Sequence, residues 1–190
     1  MPRAGLTHDR VVAEAAAVAN EVGLDRLALA TVAKRLGVSL PGLYKHIDGL
    51  DALRRDLAVR GVRELTAVML EAAAGRAGPD ALHAMARAYR SYAAANPALC
   101  AASVRAPSPS DAEHLAAGEA AVRVLASALS GYGFDDDDMV HAVRCFRVAL
   151  HGFVTLDAAG GFGLPQSVDE TFARLVDSLD TALRAWSRAR

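Results

Sequence analysis

Tyr44, Lys45 and His46 directly follow the stretch Leu36-Gly37-Val38-Ser39-Leu40-Pro41-Gly42-Leu43, whose residue types spell a tight turn between two helices. A phenol hydroxyl, an ammonium and an imidazole in that setting can donate to phosphate oxygens, and the ammonium can also address a guanine edge. Gly37 supplies the permissive backbone that ends one helix, Ser39 can cap the next, and Pro41 suits a first helical turn. Leu43 and Ile47 are four apart and predict the buried side of a helix running from Ser39 to Ile47. Ser39, Leu40, Pro41, Gly42, Tyr44, Lys45 and His46 are then the groups of closest approach to a DNA groove, with Thr31 on the preceding helix beside them. The same residues also fit an ordinary helical hairpin carrying a Tyr and a Lys on its solvated face.

Other chemistry is less well grouped. His141 and Cys145 lie four apart and can face one metal ion, but the sequence places no third ligand, so no metal and no cofactor is expected. Met85, Tyr89, Tyr92 and Phe146 either line an apolar pocket with phenol donors at its edge or form core. An enzyme would need grouped acid, base or nucleophile; the chain has no GxSxG, no HExxH and no glycine-rich phosphate loop between strand and helix. Cys100 and Cys145 are far apart and form no CxxC pair, so neither a zinc knuckle nor a disulfide framework is suggested and buried thiols are expected.

The elements that must hold these groups are helical. Apolar residues make up 53% of the 190, yet aromatics only 5%, and β-branched runs are scarce, which favours packed helices over sheets. No stretch reaches eighteen uninterrupted apolar residues and no signal-type run follows Met1, so no membrane partner and a cytoplasmic location are expected. The net charge of −1 divides unevenly: residues 1–60 hold nine Lys/Arg against seven Asp/Glu, and the remainder twelve against fifteen. That asymmetry permits a DNA-binding end without requiring one.

Along the chain, Thr7 caps a first helix that stops at Gly23, and a second runs from about Leu29 to Leu36. After Asp48-Gly49 a long fourth helix extends from about Leu50 to Ala74, and Gly75 with Gly78-Pro79 marks its end. Three longer helices follow, at about 80–95, 111–129 and 139–156, separated by Asn96-Pro97, a loop around Pro107-Ser108-Pro109, and the acidic run Asp135–Asp138. A last helix from about Val168 repeats Phe172, Leu175, Leu179, Ala182 and Trp186 at threes and fours, a seam on which Phe172, Leu175, Leu179 and Trp186 can meet a protein partner.

The run from Leu27 through Thr31 to Ser39, followed by Leu43-Tyr44-Lys45-His46 and Leu53, resembles the DNA-binding domain of the TetR family of transcriptional regulators over residues 6–60. The resemblance implies an all-α protein of about nine helices. A three-helix helix-turn-helix domain, residues 1–60, would be joined by the long fourth helix to a ligand-binding and dimerisation domain, residues 61–190. It further implies a homodimer on a palindromic double-stranded operator, a repressor released by a small-molecule effector that enters between the helices of residues 80–156 and tilts the fourth helix. Leu150-His151-Gly152-Phe153, with the glycine-rich stretch at 160–164, looks like a subgroup with a His-Gly element in its ligand domain. His151 is there either a pocket donor or a satisfied core histidine. The chain departs from the family at Ala28 and Ala30, where a cap and a basic residue are frequent, and at Leu50, where Lys is frequent. Arg3 and Thr31 can compensate in part. The alternative reading is a helical adaptor of the same fold that has lost strong DNA binding.

Overall fold

A computed structural model describes residues 5–188, and among these every regular element is a helix. In chain order they are α1 (His8–Val22), α2 (Leu29–Leu36), α3 (Leu40–Leu43), α4 (Leu50–Ala73), α5 (Gly78–Ala95), α6 (Pro97–Ala102), α7 (Ala112–Leu129), α8 (Asp136–Ala158) and α9 (Val168–Arg188). The all-α expectation therefore holds. Arg3 lies outside the described residues.

The chain forms two compact units. The first contains residues up to Val62 together with Asn96–Leu115; the second contains Arg63–Ala95 and the chain from Ala116 onward. The continuous helix α4 passes from one to the other. This division differs from a single cut near residue 60, because α6 and the loop after it pack with the first four helices.

Three long-range contacts explain why. Asn20 of α1 accepts the backbone N–H of Ala98 at 2.9 Å, capping the otherwise unpaired start of α6. Gly61 of α4 lies directly against the backbone of Leu99, where a Cβ would come within 2.3 Å of the carbonyl oxygen. Arg55 of α4 donates from Nε to Asp111 at 2.7 Å and from Nη1 to Glu113 at 2.6 Å, with a second bond from Nη2 to Asp111. That pairing holds the Asp111 carboxyl well below the usual carboxylate range.

Within the first unit α1 starts as its residue types dictate. The Thr7 hydroxyl accepts the Arg10 N–H at 3.3 Å, and Val11, Ala15, Val18 and Ala19 make a buried stripe against α2 and α6. His8 bonds Asp56 of α4 at 2.9 Å, and this hydrogen bond, outweighing partial desolvation, raises the imidazole above its ordinary pKa. A raised folded-state pKa means that the bond supports the fold fully below about pH 6.5 and loses its effect as pH rises through the raised value. Melting temperature should fall between about pH 6 and pH 8 by more in the wild type than in His8→Gln. Equal falls in the two proteins would mean that His8 contributes nothing. In both proteins His83 adds a fall of its own, since desolvation lowers it but the Asp177 and Pro79 hydrogen bonds prevail, while His151, held low by burial, opposes it.

In the second unit α5 is the inner helix, buried along Leu82, Met85, Ala86, Tyr89 and Tyr92, and it contacts both α8 and α9. The turn at Ser130–Tyr132 closes on the start of α5, and Gly131 is required there because a Cβ would stand 2.8 Å from the Gly78 nitrogen. The acids Asp135–Asp138 open α8, with the Asp135 carboxylate accepting the Asp138 N–H at 2.9 Å. No helix among the described residues is long and apolar enough to cross a membrane.

Candidate nucleic-acid interface

The joint between α2 and α3 is built from backbone chemistry. Gly37 takes a left-handed conformation, φ 67° and ψ 30°, which a Cβ would strain. Its N–H donates to the Lys34 carbonyl at 3.2 Å while the Val38 N–H reaches the Ala33 carbonyl at 3.0 Å, so the last carbonyls of α2 are satisfied and the chain reverses. Ser39 then caps α3, its hydroxyl accepting the Gly42 N–H at 3.2 Å, with Pro41 in the first turn.

The expected helix from Ser39 to Ile47 is shorter than its spacing suggests. α3 spans Leu40–Leu43 and gives way to turns through His46, whose N–H donates to the Leu43 carbonyl at 2.9 Å. Gly42 weakens helical propensity and Asp48-Gly49 ends the segment, Gly49 at φ 119°, so too few residues lie between them to propagate a longer helix. The facing is as expected nonetheless. Leu43 and Ile47 are buried, each anchoring the segment by about 1.5–3 kcal/mol of apolar burial. Tyr44 is 52% exposed, Lys45, Ser39, Leu40, Pro41 and Thr31 are exposed, and Gly42 and His46 are half-buried.

Charge is distributed less freely than the sequence suggests. Arg35, on the outer face of α2, is bound by Glu14 at 2.9 Å and by Glu21 at 2.7 Å, both from α1. Its guanidinium fixes the α1–α2 crossing instead of standing open to an anion. The signal was in the sequence: Glu14 and Glu21 are seven apart, hence on one face of α1. Lys34 and Lys45 remain exposed cations on this surface. No side chain caps α2 at Ala28.

In the second unit the five candidate ligand residues are drawn inward. Met85, Tyr89, Tyr92 and Phe146 are buried and His151 is half-buried. The Tyr89 hydroxyl and His151 Nδ1 share a hydrogen bond of 3.0 Å, and Tyr92 donates to Glu64 at 3.1 Å. Burial, and then the neighbouring Arg147, push the His151 imidazole below its ordinary pKa, so it is neutral near pH 7.

Of the four residues expected to meet a protein partner, one is turned inward. Phe172 is buried within its own chain, 4.9 Å from the Phe153 ring and 4.9 Å beneath the Arg90 guanidinium. The buried stripe of α9 is Phe172, Val176 and Leu183, whereas Leu175, Leu179 and Trp186 are half-buried on an adjoining stripe. At about 100° per residue the two stripes are less than a quarter-turn apart, which is why spacing alone merged them.

A cleft of about 360 Å³ opens between α5 and α9, lined by His83, Arg87, Arg90, Ser91, Asp169, Phe172, Ala173, Val176 and Asp177. None of the five expected ligand residues lines it. The cations at 87 and 90 share a helix side three residues apart, a pattern visible in the sequence but eclipsed by the neighbouring tyrosines at 89 and 92.

Residues 82–179 match the family model of the tetracyclin repressor-like C-terminal domain. An uncharacterized HTH-type transcriptional regulator of Mycobacterium tuberculosis is 37% identical over 158 residues, covering 83% of this chain and 72% of that protein. Another such regulator, from Bacillus subtilis, is 32% identical over 90% of both chains. Among solved structures, a protein of unknown function from Rhodococcus sp. RHA1 superposes with a TM-score of 0.76 at 28% identity, over 96% of this chain and 98% of that one. A TetR variant from Acinetobacter baumannii AYE in complex with minocycline shares the fold, with a TM-score of 0.71 at 24% identity over 96% of this chain and 99% of its own. A domain match over half the chain, relatives of this coverage and a capped helix-turn-helix joint agree: the chain belongs to the TetR family of helix-turn-helix transcriptional regulators and is not an enzyme.

Proposed function

We propose that the protein is a cytoplasmic repressor that binds a palindromic operator as a homodimer and is released from it by a small molecule. Residues 1–60 read the DNA and residues 61–190 bind the effector and dimerise. The observation that carries this reading is the exposed Tyr44-Lys45 pair, set on a segment whose buried side, Leu43 and Ile47, fixes its orientation. In a dimer two such segments can enter successive major grooves about 34–36 Å apart. Thr31, Ser39, Leu40, Pro41, Gly42 and His46 complete the contact surface.

We place the effector at the Tyr89–His151 pair, where a polar ligand atom can replace one of the two hydrogen-bond partners, with the buried Met85, Tyr92 and Phe146 offering apolar surface. That a TetR of the same fold forms a complex with minocycline supports a small-molecule effector here. Chain connectivity supplies a route: Asn96–Leu115, tied into the first unit through Ala98 and Asp111, is continuous with α5 on one side and α7 on the other. The His151-Gly152 element supports placement in the His-Gly subgroup.

Dimerisation is assigned to the half-buried stripe Leu175, Leu179 and Trp186 of α9, together with the exposed Val148 and Leu156 of α8. Leu175→Arg with Leu179→Arg should convert a dimer to a monomer on sizing while leaving the helical content unchanged; a persistent dimer would place the interface elsewhere.

The test of the whole reading is a mobility shift of the purified protein on DNA from upstream of its own gene. Retardation resistant to excess random-sequence DNA is expected. The adaptor reading is favoured by one observation, the absence of a cap or cation at 28, 30 and 50. It would be upheld by retardation that random DNA abolishes.

A further inference from the structure

We propose that the cleft between α5 and α9 binds a small organic monocarboxylate, its charge received by Arg87 and Arg90 and its carbon skeleton by Phe172 and Val176. The cleft's volume, about 360 Å³, lies at the lower end of the range for small-molecule sites. Of the three basic side chains that line it, only Arg87 lacks a carboxylate partner. His83 bonds Asp177 at 2.9 Å and Arg90 bonds Asp169 at 2.8 Å, whereas Arg87 is exposed and has no partner among the described residues. One unpartnered planar guanidinium, with carboxylates close by, suits a monocarboxylate better than a dianionic phosphate.

Arg90 is prepared for a planar anion. Its guanidinium is held over the Phe172 ring at 4.9 Å and the Phe153 ring at 5.3 Å and tethered to Asp157 at 3.4 Å, so little freedom is left to lose on binding. Its partner Asp169 is 85% exposed, so that ion pair is weakened by solvent and open to exchange for a ligand carboxylate. On α9 the cleft residues, centred on Ala173 and Val176, lie a little over a quarter-turn from the stripe of Leu175, Leu179 and Trp186.

Thermal shift and calorimetry with benzoate and hexanoate, against benzamide, hexanamide and inorganic phosphate at constant ionic strength, test the assignment. Both carboxylates should raise the melting temperature saturably, and the amides and phosphate should not. Arg87→Gln should weaken carboxylate binding at least tenfold, and Ala173→Trp, which fills the cleft from an exposed position, should abolish it. Equal shifts by the amides or by phosphate, no shift at all, or unaltered binding in both variants would overturn the proposal. So would binding lost in Tyr89→Phe but retained in Arg87→Gln, which would move the ligand to the interior. No DNA enters these measurements, so they stand apart from the operator reading and either can fail alone.

Discussion

Alanine at both Tyr44 and Lys45 should lower operator affinity by about a thousandfold while leaving the melting temperature unchanged. Each side chain offers one contact per reading head, and a dimer carries two heads, so four contacts are lost. At about 1 kcal/mol apiece, the low end for a DNA contact, the loss is about 4 kcal/mol, close to three powers of ten. Stability is spared because both side chains are exposed, with Tyr44 at 52%, and the segment is anchored by Leu43 and Ile47 instead. The single variants separate the roles. Lys45→Ala removes one phosphate charge per head and should flatten the slope of log affinity against log salt by about two, whereas Tyr44→Ala should leave that slope in place. Titrations of labelled operator between about 50 and 200 mM salt read both quantities. Unchanged affinity in the double variant would remove this surface from DNA recognition.

What could be read from the sequence was what is decided within a few residues of itself. Thr7, Gly37, Ser39 and Asp135 each announced a helix end because the group that satisfies the end lies three to five positions away. The residues that turned out differently are those decided across the chain. Asn96–Leu115 reads as a link between two helices of the second unit, yet it packs with the first because Asn20, Arg55 and Gly61 receive it from up to 78 positions away. Arg35 reads as a free surface cation until α1 brings Glu14 and Glu21 to it. Phe172 reads as part of an outward seam because α9 carries two apolar stripes side by side, and only the approach of Arg90 and Phe153 shows which one turns inward. The exposure expected of Tyr44 and Lys45 is found, because exposure beside a sharp turn is determined by local residue types.

The same methyl group, added at two helical glycines, should change stability in opposite directions. In a helix interior alanine is favoured over glycine by about 1 kcal/mol, since glycine surrenders more backbone freedom on folding. Gly118 of α7 has nothing within 4 Å of where a Cβ would stand, so Gly118→Ala should realise most of that gain and raise the melting temperature by about 2–3 °C. At Gly61 the added carbon would lie 2.3 Å from the Leu99 carbonyl oxygen and 3.1 Å from its carbon. Both are backbone atoms and cannot rotate aside as a flexible side chain can, so α4 and α6 must separate. Overpacking of this kind costs about 3 kcal/mol, outweighs the propensity gain, and should lower the melting temperature by about 4–8 °C at fixed protein concentration. The damage should not stop at α6. Ala98, at its start, is bonded to Asn20 of α1, the helix on which α2 and its turn rest, so operator affinity should fall in Gly61→Ala although no DNA contact is altered. Melts and operator titrations of the two variants side by side decide the matter: if Gly61→Ala is as benign as Gly118→Ala, the close approach of α4 to α6 does not exist in solution.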